Sequence, residues 1–168
     1  LGKIKDSGAE LLFLPNYYSD NALILQQAHD LGLDMKIFGV DGMDGILNVE
    51  NFDKSLAEGV MLLTPFSATG EDEATVNFVK AYCDANYGET PNQFAADAYD
   101  AVYTIKAAME KAGVEDVDAK DFNEALVSAM TEIEVDGVTG HMTWDKDGEP
   151  VGTSGNWAEG NRSFSDSI

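Results

Sequence analysis

The chain has a single cysteine, Cys83, in 168 residues. It can form no internal disulfide and no cysteine-based zinc site. Basic side chains are scarce too: ten lysines and arginines stand against 31 aspartates and glutamates, a formal charge of −21. Such a surface cannot neutralise a phosphate backbone, which excludes nucleic acid as a partner class. The two histidines, His29 and His141, lie far apart and lack the helical or hairpin partner that a metal site or catalytic triad needs. There is no G-x-S-x-G, no phosphate-cradling glycine loop and no Cys–His pairing. No apolar run approaches the roughly 18–20 residues that a membrane helix requires. An initiator methionine and a charged-then-apolar leader are also missing. Opening at Leu1, the chain is expected to be a processed or cut piece of a longer protein.

What is present is an ordinary core fraction, 44% hydrophobic residues, arranged in two alternating periods. Glu10–Leu14 is a short apolar run that stops at Pro15-Asn16, as a buried parallel strand would. From Ser19 the period lengthens. Ala22, Leu23, Leu25, Ala28 and Leu31 recur at helical intervals, with Ser19 or Asp20 as cap and Gly32 as stop. "MKIFGV" is a second strand and closes on "DGMDG". This is a β-α-β unit with parallel strands. A short acidic helix is expected over Asn51–Ala57, then a third strand in "GVMLLTPF". "SATGEDEATVNFVKAYCDANYG" reads as a helix with an acidic first turn and places Cys83 in its core. The longest helix follows in "TPNQFAADAYDAVYTIKAAMEKAG", its apolar stripe being Ala95, Ala98, Tyr99, Val102, Ile105, Ala108 and Met109 and its stop Gly113. "DAKDFNEALVSAM" gives a shorter helix, "GHMTWDKDGEPVG" a hairpin, and "GNWAEGNRSF" one more pair of short strands. The fold class is α/β: a parallel sheet with flanking helices and a small C-terminal β-hairpin region.

Ligands of open α/β sheets collect outside the carboxyl ends of the strands. Two such ends carry unusual residues here, Asn16-Tyr17-Tyr18 and Asp41-Gly42. Each taken alone is explained as a turn. Together, one β-α-β unit brings both to the same rim, because neighbouring strands lie only about 5 Å apart. Aromatic walls beside one carboxylate suit a small amphipathic cation. The run Asp145-Lys146-Asp147-Gly148-Glu149 lacks the third acidic ligand, the final glutamate and the flanking helices of a calcium loop, and reads as a hairpin turn. Asn161-Arg162-Ser163 fits a glycosylation triplet, a pattern that arises often by chance.

"AELLFLPNYYSDNALILQQAHDLGLDMKIFGVDG", "LAEGVMLLTPF", "AADAYDAVYTIKAAMEKAG" and "GVTGHMTWDKDGEPVG" resemble type I periplasmic binding proteins of the branched-chain amino-acid group, in the family's own order. Those are the substrate-binding components of ABC importers. The resemblance implies that this chain is similar to the C-terminal half of a two-lobed protein. Residues 1–64 and 138–168 would be the α/β portion of the second lobe, and residues 65–137 the helical portion of the first. With most first-lobe strands outside the chain, the helices of 71–130 are expected to lack the sheet they usually cover and to self-associate or repack.

The resemblance also implies site residues. Tyr17 stands where an aromatic lines the pocket, with Tyr18 and Gly42 beside it on the rim. Asp41 stands where an acidic residue accepts the ligand's α-ammonium, one methylene shorter than the family's common glutamate. Phe94 matches an aromatic that touches the ligand's side chain. The implied ligand is an amino acid or similar small solute, the partners are the transporter's membrane subunits, and no cofactor or catalytic residue is implied. The place of action would be periplasmic or extracellular, with a lipid anchor on the full-length protein. Two rivals stand beside this reading. One is a ligand-sensing domain of a receptor or transcription regulator. The other is a flavodoxin-like or receiver-like enzyme domain centred on Asp41, which the Asn16-Tyr17 rim disfavours because a second carboxylate is needed there.

Overall fold

The computed structural model describes residues 1–113, 116–118 and 120–151, and the backbone of 162–163. It divides into two compact units, one built on Leu1–Thr69 and joined by Arg162–Ser163, the other running from Gly70 onward.

The first unit begins with a one-turn helix, α1 (Gly2–Lys5), and then strand β1 (Leu11–Leu14). Pro15 ends the strand, and helix α2 (Tyr18–Asp30) starts two residues earlier than a Ser19 cap predicts and three earlier than an Asp20 cap predicts. Its N-cap is Tyr17, in extended conformation and without a side-chain cap bond. Gly32, at φ 63°, takes the left-handed conformation that ends the helix. Strand β2 (Lys36–Gly39) lies parallel to β1, and β3 (Met61–Leu62) parallel to β2. Strand β7 (Arg162–Ser163) adds to β3 in antiparallel sense, so the order is β1-β2-β3-β7. The other residues of "GNWAEGNRSF", and Asn161 of the glycosylation triplet, lie outside the described residues.

Leu12, Leu14, Ala22, Leu25, Met43, Ile46, Ala57, Val60 and Leu62 form the core of this unit. Each large side chain fully withdrawn from water contributes about 1.5–3 kcal/mol. Between β2 and β3 the chain makes three 3₁₀ turns, Asp41–Met43, Ile46–Asn48 and Lys54–Ala57. The acidic helix expected over Asn51–Ala57 is therefore only its last turn. Asn51 sits at φ 60°, and a helix cannot run through a left-handed residue. The carboxylate of Asp53 accepts from Ser55 N at 3.0 Å and caps what remains. The far face of β1 stays open: Leu11 and Phe13 are half exposed, and Phe13 stacks on Phe38 at 6.1 Å.

The second unit holds helices α3 (Glu73–Ala85), α4 (Gln93–Ala112) and α5 (Phe122–Met130). Asp72 caps α3 by accepting from Thr75 N at 2.9 Å, and Asn92 caps α4 by accepting from Ala95 N at 3.1 Å. Gly113, at φ 65°, is the left-handed stop that α4 predicts. A three-stranded antiparallel sheet completes the unit: β4 (Glu134–Gly137), β5 (Gly140–Trp144) and β6 (Pro150–Val151). The hairpin about Asp145–Gly148 is as expected; β4 was not anticipated. Cys83 is half-buried on α3 rather than in a core.

The face that α4 buries also differs from its predicted stripe. Gln93, Ala96, Asp100, Thr104 and Ala108 are buried, whereas Val102 and Ile105 are 63% and 52% exposed. The reason is what α4 packs against, namely α5 and β4. Asp100 is the anchor. Its carboxylate accepts from Val138 N at 2.9 Å, Thr139 N at 2.8 Å and Thr139 Oγ1 at 2.6 Å, clasping the β4–β5 turn. Gly137 lies so close beneath this carboxylate that a Cβ there would overlap it.

Candidate functional site

Strands β1 and β2 run parallel with Leu14 level with Gly39, so both chains leave the sheet side by side. This register builds the site. From β1 the chain passes Pro15 into Asn16 and Tyr17; from β2 it passes Val40 into the Asp41–Met43 turn. The turn is closed by Met43 N donating to Val40 O and Asp44 N donating to Asp41 O, both at 2.9 Å. It is held down by Met43, which is fully buried. Gly39 makes this possible, since a Cβ there would stand 2.6 Å from the Met43 sulfur.

The two rims touch. A Cβ on Gly42 would lie 3.0 Å from the Asn16 carbonyl oxygen and 3.5 Å from Cδ1 of the Tyr17 ring. Of the residues picked out in sequence, Tyr17 and Gly42 are thus neighbours, and Asp41 adjoins them in the chain. Gly42 is buried, Asp41 is exposed, and Tyr17 is 64% exposed. Tyr18 opens α2 and is 36% exposed. Phe94 stands in the first turn of α4 in the other compact unit, half-buried.

This arrangement offers one exposed carboxylate, an aromatic ring and close-approach glycine backbone. A carboxylate so placed can accept charge-assisted hydrogen bonds from an ammonium. It cannot assemble a metal site alone, and no group of three metal-ligating side chains occurs among the described residues. The Asp145 carboxylate is engaged within its own turn, accepting from Asp147 N at 2.8 Å and Glu149 N at 3.0 Å. His141 faces Asp136 across β4–β5, with Nδ1 2.6 Å from the carboxylate oxygen. That bond pushes the histidine's pKa up, with a smaller opposing effect of desolvation.

Reading the sequence missed Asn21. It is buried in α2, and its Nδ2 donates to Asn16 O at 2.8 Å beneath the rim. The available signal was a polar residue adjoining the apolar face of a helix, beside Ala22 and one turn before Leu25.

Comparison with known proteins agrees with this fold. The family model described as "Periplasmic binding protein" matches residues 1–156. A leucine-, isoleucine-, valine-, threonine- and alanine-binding protein of Pseudomonas aeruginosa is 26% identical over 151 residues, 89% of this chain and 38% of its own length. Among solved structures, the branched-chain amino-acid transporter substrate-binding protein LivJ of Streptococcus pneumoniae, in complex with isoleucine, is 28% identical. It covers 90% of this chain and 45% of its own, with a TM-score of 0.67. The leucine-binding protein LivK of Thermotoga maritima reaches a TM-score of 0.72 at 23% identity, over 89% of this chain and 41% of its own, a likeness of fold. The chain spans about 38% of the length of the curated relatives it matches. With its parallel sheet and this match over residues 1–156, the chain belongs to the periplasmic binding protein family.

Proposed function

We propose that the chain is part of the extracytoplasmic solute-binding component of an ABC importer, a non-enzymatic protein that closes two lobes over an amino acid or similar small solute. The observation that carries this reading is the contact between the two strand-end rims, which sets Tyr17 and Gly42 beside Asp41. Asp41 accepts the ligand's α-ammonium, Tyr17 and Tyr18 wall the pocket, and Gly42 lets the backbone approach. Groups for the α-carboxylate come from outside this chain, and no cofactor takes part.

In this proposal residues 1–64 belong to the second lobe and residues 65–137 to the first, and the return of the tail to the second is moved from the expected 138 to beyond the β4–β6 sheet. The attachment of the β4–β5 turn to Asp100 favours a return beyond Val151. The full-length protein works in the periplasm or outside the cell, carries a lipid anchor and delivers its ligand to the transporter's membrane subunits. The outward stripe of α4 favours self-association of this chain when it stands alone.

A thermal-shift screen of the full-length protein against amino acids and amides tests the reading. A ligand at about 100 times its dissociation constant adds roughly 2.7 kcal/mol of stability. No shift with any zwitterionic amino acid would remove the amino-acid assignment.

A further inference from the structure

Asn21 is the only polar side chain in the set that α2 buries, and none of its surface is exposed. Its amide is used on one side only. Nδ2 donates to Asn16 O at 2.8 Å, while Oδ1 is buried and has no hydrogen-bond partner among the described residues. The orientation follows from the partner, since a carbonyl oxygen only accepts and the amide must turn its NH₂ towards it. A buried acceptor left unpaired is destabilising, and folded proteins keep few of them. Leucine has nearly the same shape and would carry no such penalty. Stability therefore does not explain an asparagine here; the bond to Asn16 does. A second group closes on the same carbonyl, because a Cβ on Gly42 would stand 3.0 Å from Asn16 O. One carbonyl is thus tethered from α2 and approached closely by the Asp41–Met43 turn, and the next residue along is Tyr17.

We propose that Asn21 and Gly42 act as positioning residues: together they fix the Asn16 carbonyl and so set the spacing between the rim bearing Tyr17 and the rim bearing Asp41. The proposal rests on reading the two rims as one ligand site. Neither the Asn21 side chain nor the Asn16 carbonyl need touch the ligand. The tether spares the rim the ordering that would otherwise accompany binding.

Two variants, Asn21→Leu and Gly42→Ala, separate this from a purely structural role. In the ligand-free protein, amide NMR signals of Asn16, Tyr17 and Asp41 should shift in both variants. In Asn21→Leu their order parameters should also fall, while the melting temperature holds or rises. In a calorimetric titration with L-leucine, the dissociation constant of Asn21→Leu should rise about 3- to 10-fold, as expected for one hydrogen bond. Unmoved rim signals in both variants would overturn the proposal. So would a fall in melting temperature of Asn21→Leu with its rim unchanged, which is the mark of mere packing. If Asn21→Leu does not fold, Gly42→Ala decides by the same signals, since its Cβ displaces the same carbonyl. A loosened rim in a protein whose parent binds no leucine upholds the positioning and rejects the amino-acid assignment alone.

Discussion

Helices α2 and α4 each carry apolar residues at helical spacing, and the two stripes meet different fates. Helix α2 buries Ala22, Leu25 and Ala28 of its predicted stripe, the first two in the core of its own unit, and leaves only the flanking Leu23 and Leu31 exposed. Helix α4 buries Ala108 of its stripe and leaves Tyr99, Val102 and Ile105 exposed, while Gln93, Asp100 and Thr104 go inside. The difference lies in the partner. A parallel sheet stands in the same unit as α2, whereas α4 packs on α5 and the short strand β4. Periodicity tells which face of a helix is apolar. It does not tell which face will find cover. On α4 the covered face is polar because the Asp100 carboxylate, with three hydrogen bonds from the β4–β5 turn, offsets its own burial. The apolar ridge left outside is partly self-covered by aromatic contacts, Phe78 with Tyr99 at 4.8 Å and Tyr99 with Tyr103 at 4.7 Å.

The comparison breaks most easily at Leu25, which is 2% exposed. Leu25→Ala should cost about 3 kcal/mol, the lost burial plus a cavity, whereas Ile105→Ala on the outward stripe should stay within about 0.5 kcal/mol. Urea unfolding of both variants, read by circular dichroism, makes the contrast; equal costs would mean that the α4 stripe is covered after all.

Next in size is the anchor. Asp100→Ala should cost about 2 kcal/mol, since it strips three charge-assisted bonds and strands two backbone donors in partly buried positions. Hydrogen exchange should then rise at Val138 and Thr139 before it rises in α2. Uniform exchange through both units would deny that the clasp is local.

The Asp72 cap carries a smaller effect. Asp72→Ala should cost about 1 kcal/mol. The bond from Thr75 N, the largest cause, lowers the carboxyl's pKa below its ordinary value. The cap's stabilisation is therefore fully present above about pH 4, the unfolded value, and is lost as pH falls through the lower folded pKa. Acid titration of the wild type against the variant should show the two curves converging at the acid end.

The smallest effect belongs to His141. Asp136 raises its pKa, so the pair's contribution is fully present below about pH 6.5 and disappears as pH rises through the higher folded pKa. The midpoint of the His141 NMR titration should fall in Asp136→Asn, and an unchanged midpoint would break the pair's assignment.

The first unit was the more legible of the two in sequence. Pro15 and Gly32 punctuate β1 and α2 so sharply that the β-α-β unit and its shared rim follow from residue order alone. The approach of Gly42 to Tyr17 is what that logic anticipates. Asn51 defeated it, because an asparagine in left-handed conformation looks in sequence like any helix-tolerant polar residue. Strand β4 alternates Glu134, Val135, Asp136 correctly, yet with one buried side chain its apolar signal is too weak to stand out. Asn21 was invisible because its role lies in a bond to another element, which no period records. The buried face of α4 was illegible for the same reason.

In the function we propose, Asp41 receives an ammonium group at the rim it shares with Tyr17. Calorimetric titration of the full-length protein and its Asp41→Asn variant, with L-leucine and with 4-methylpentanoate, tests it most directly. Charge-assisted bonds are worth roughly 1.5–3 kcal/mol each, so leucine affinity should fall about 10- to 100-fold in the variant. 4-Methylpentanoate has no ammonium to lose and should change far less, and the melting temperature of the empty protein should stay put. Leucine binding left intact by Asp41→Asn would contradict the account and reduce Asp41 to a turn residue.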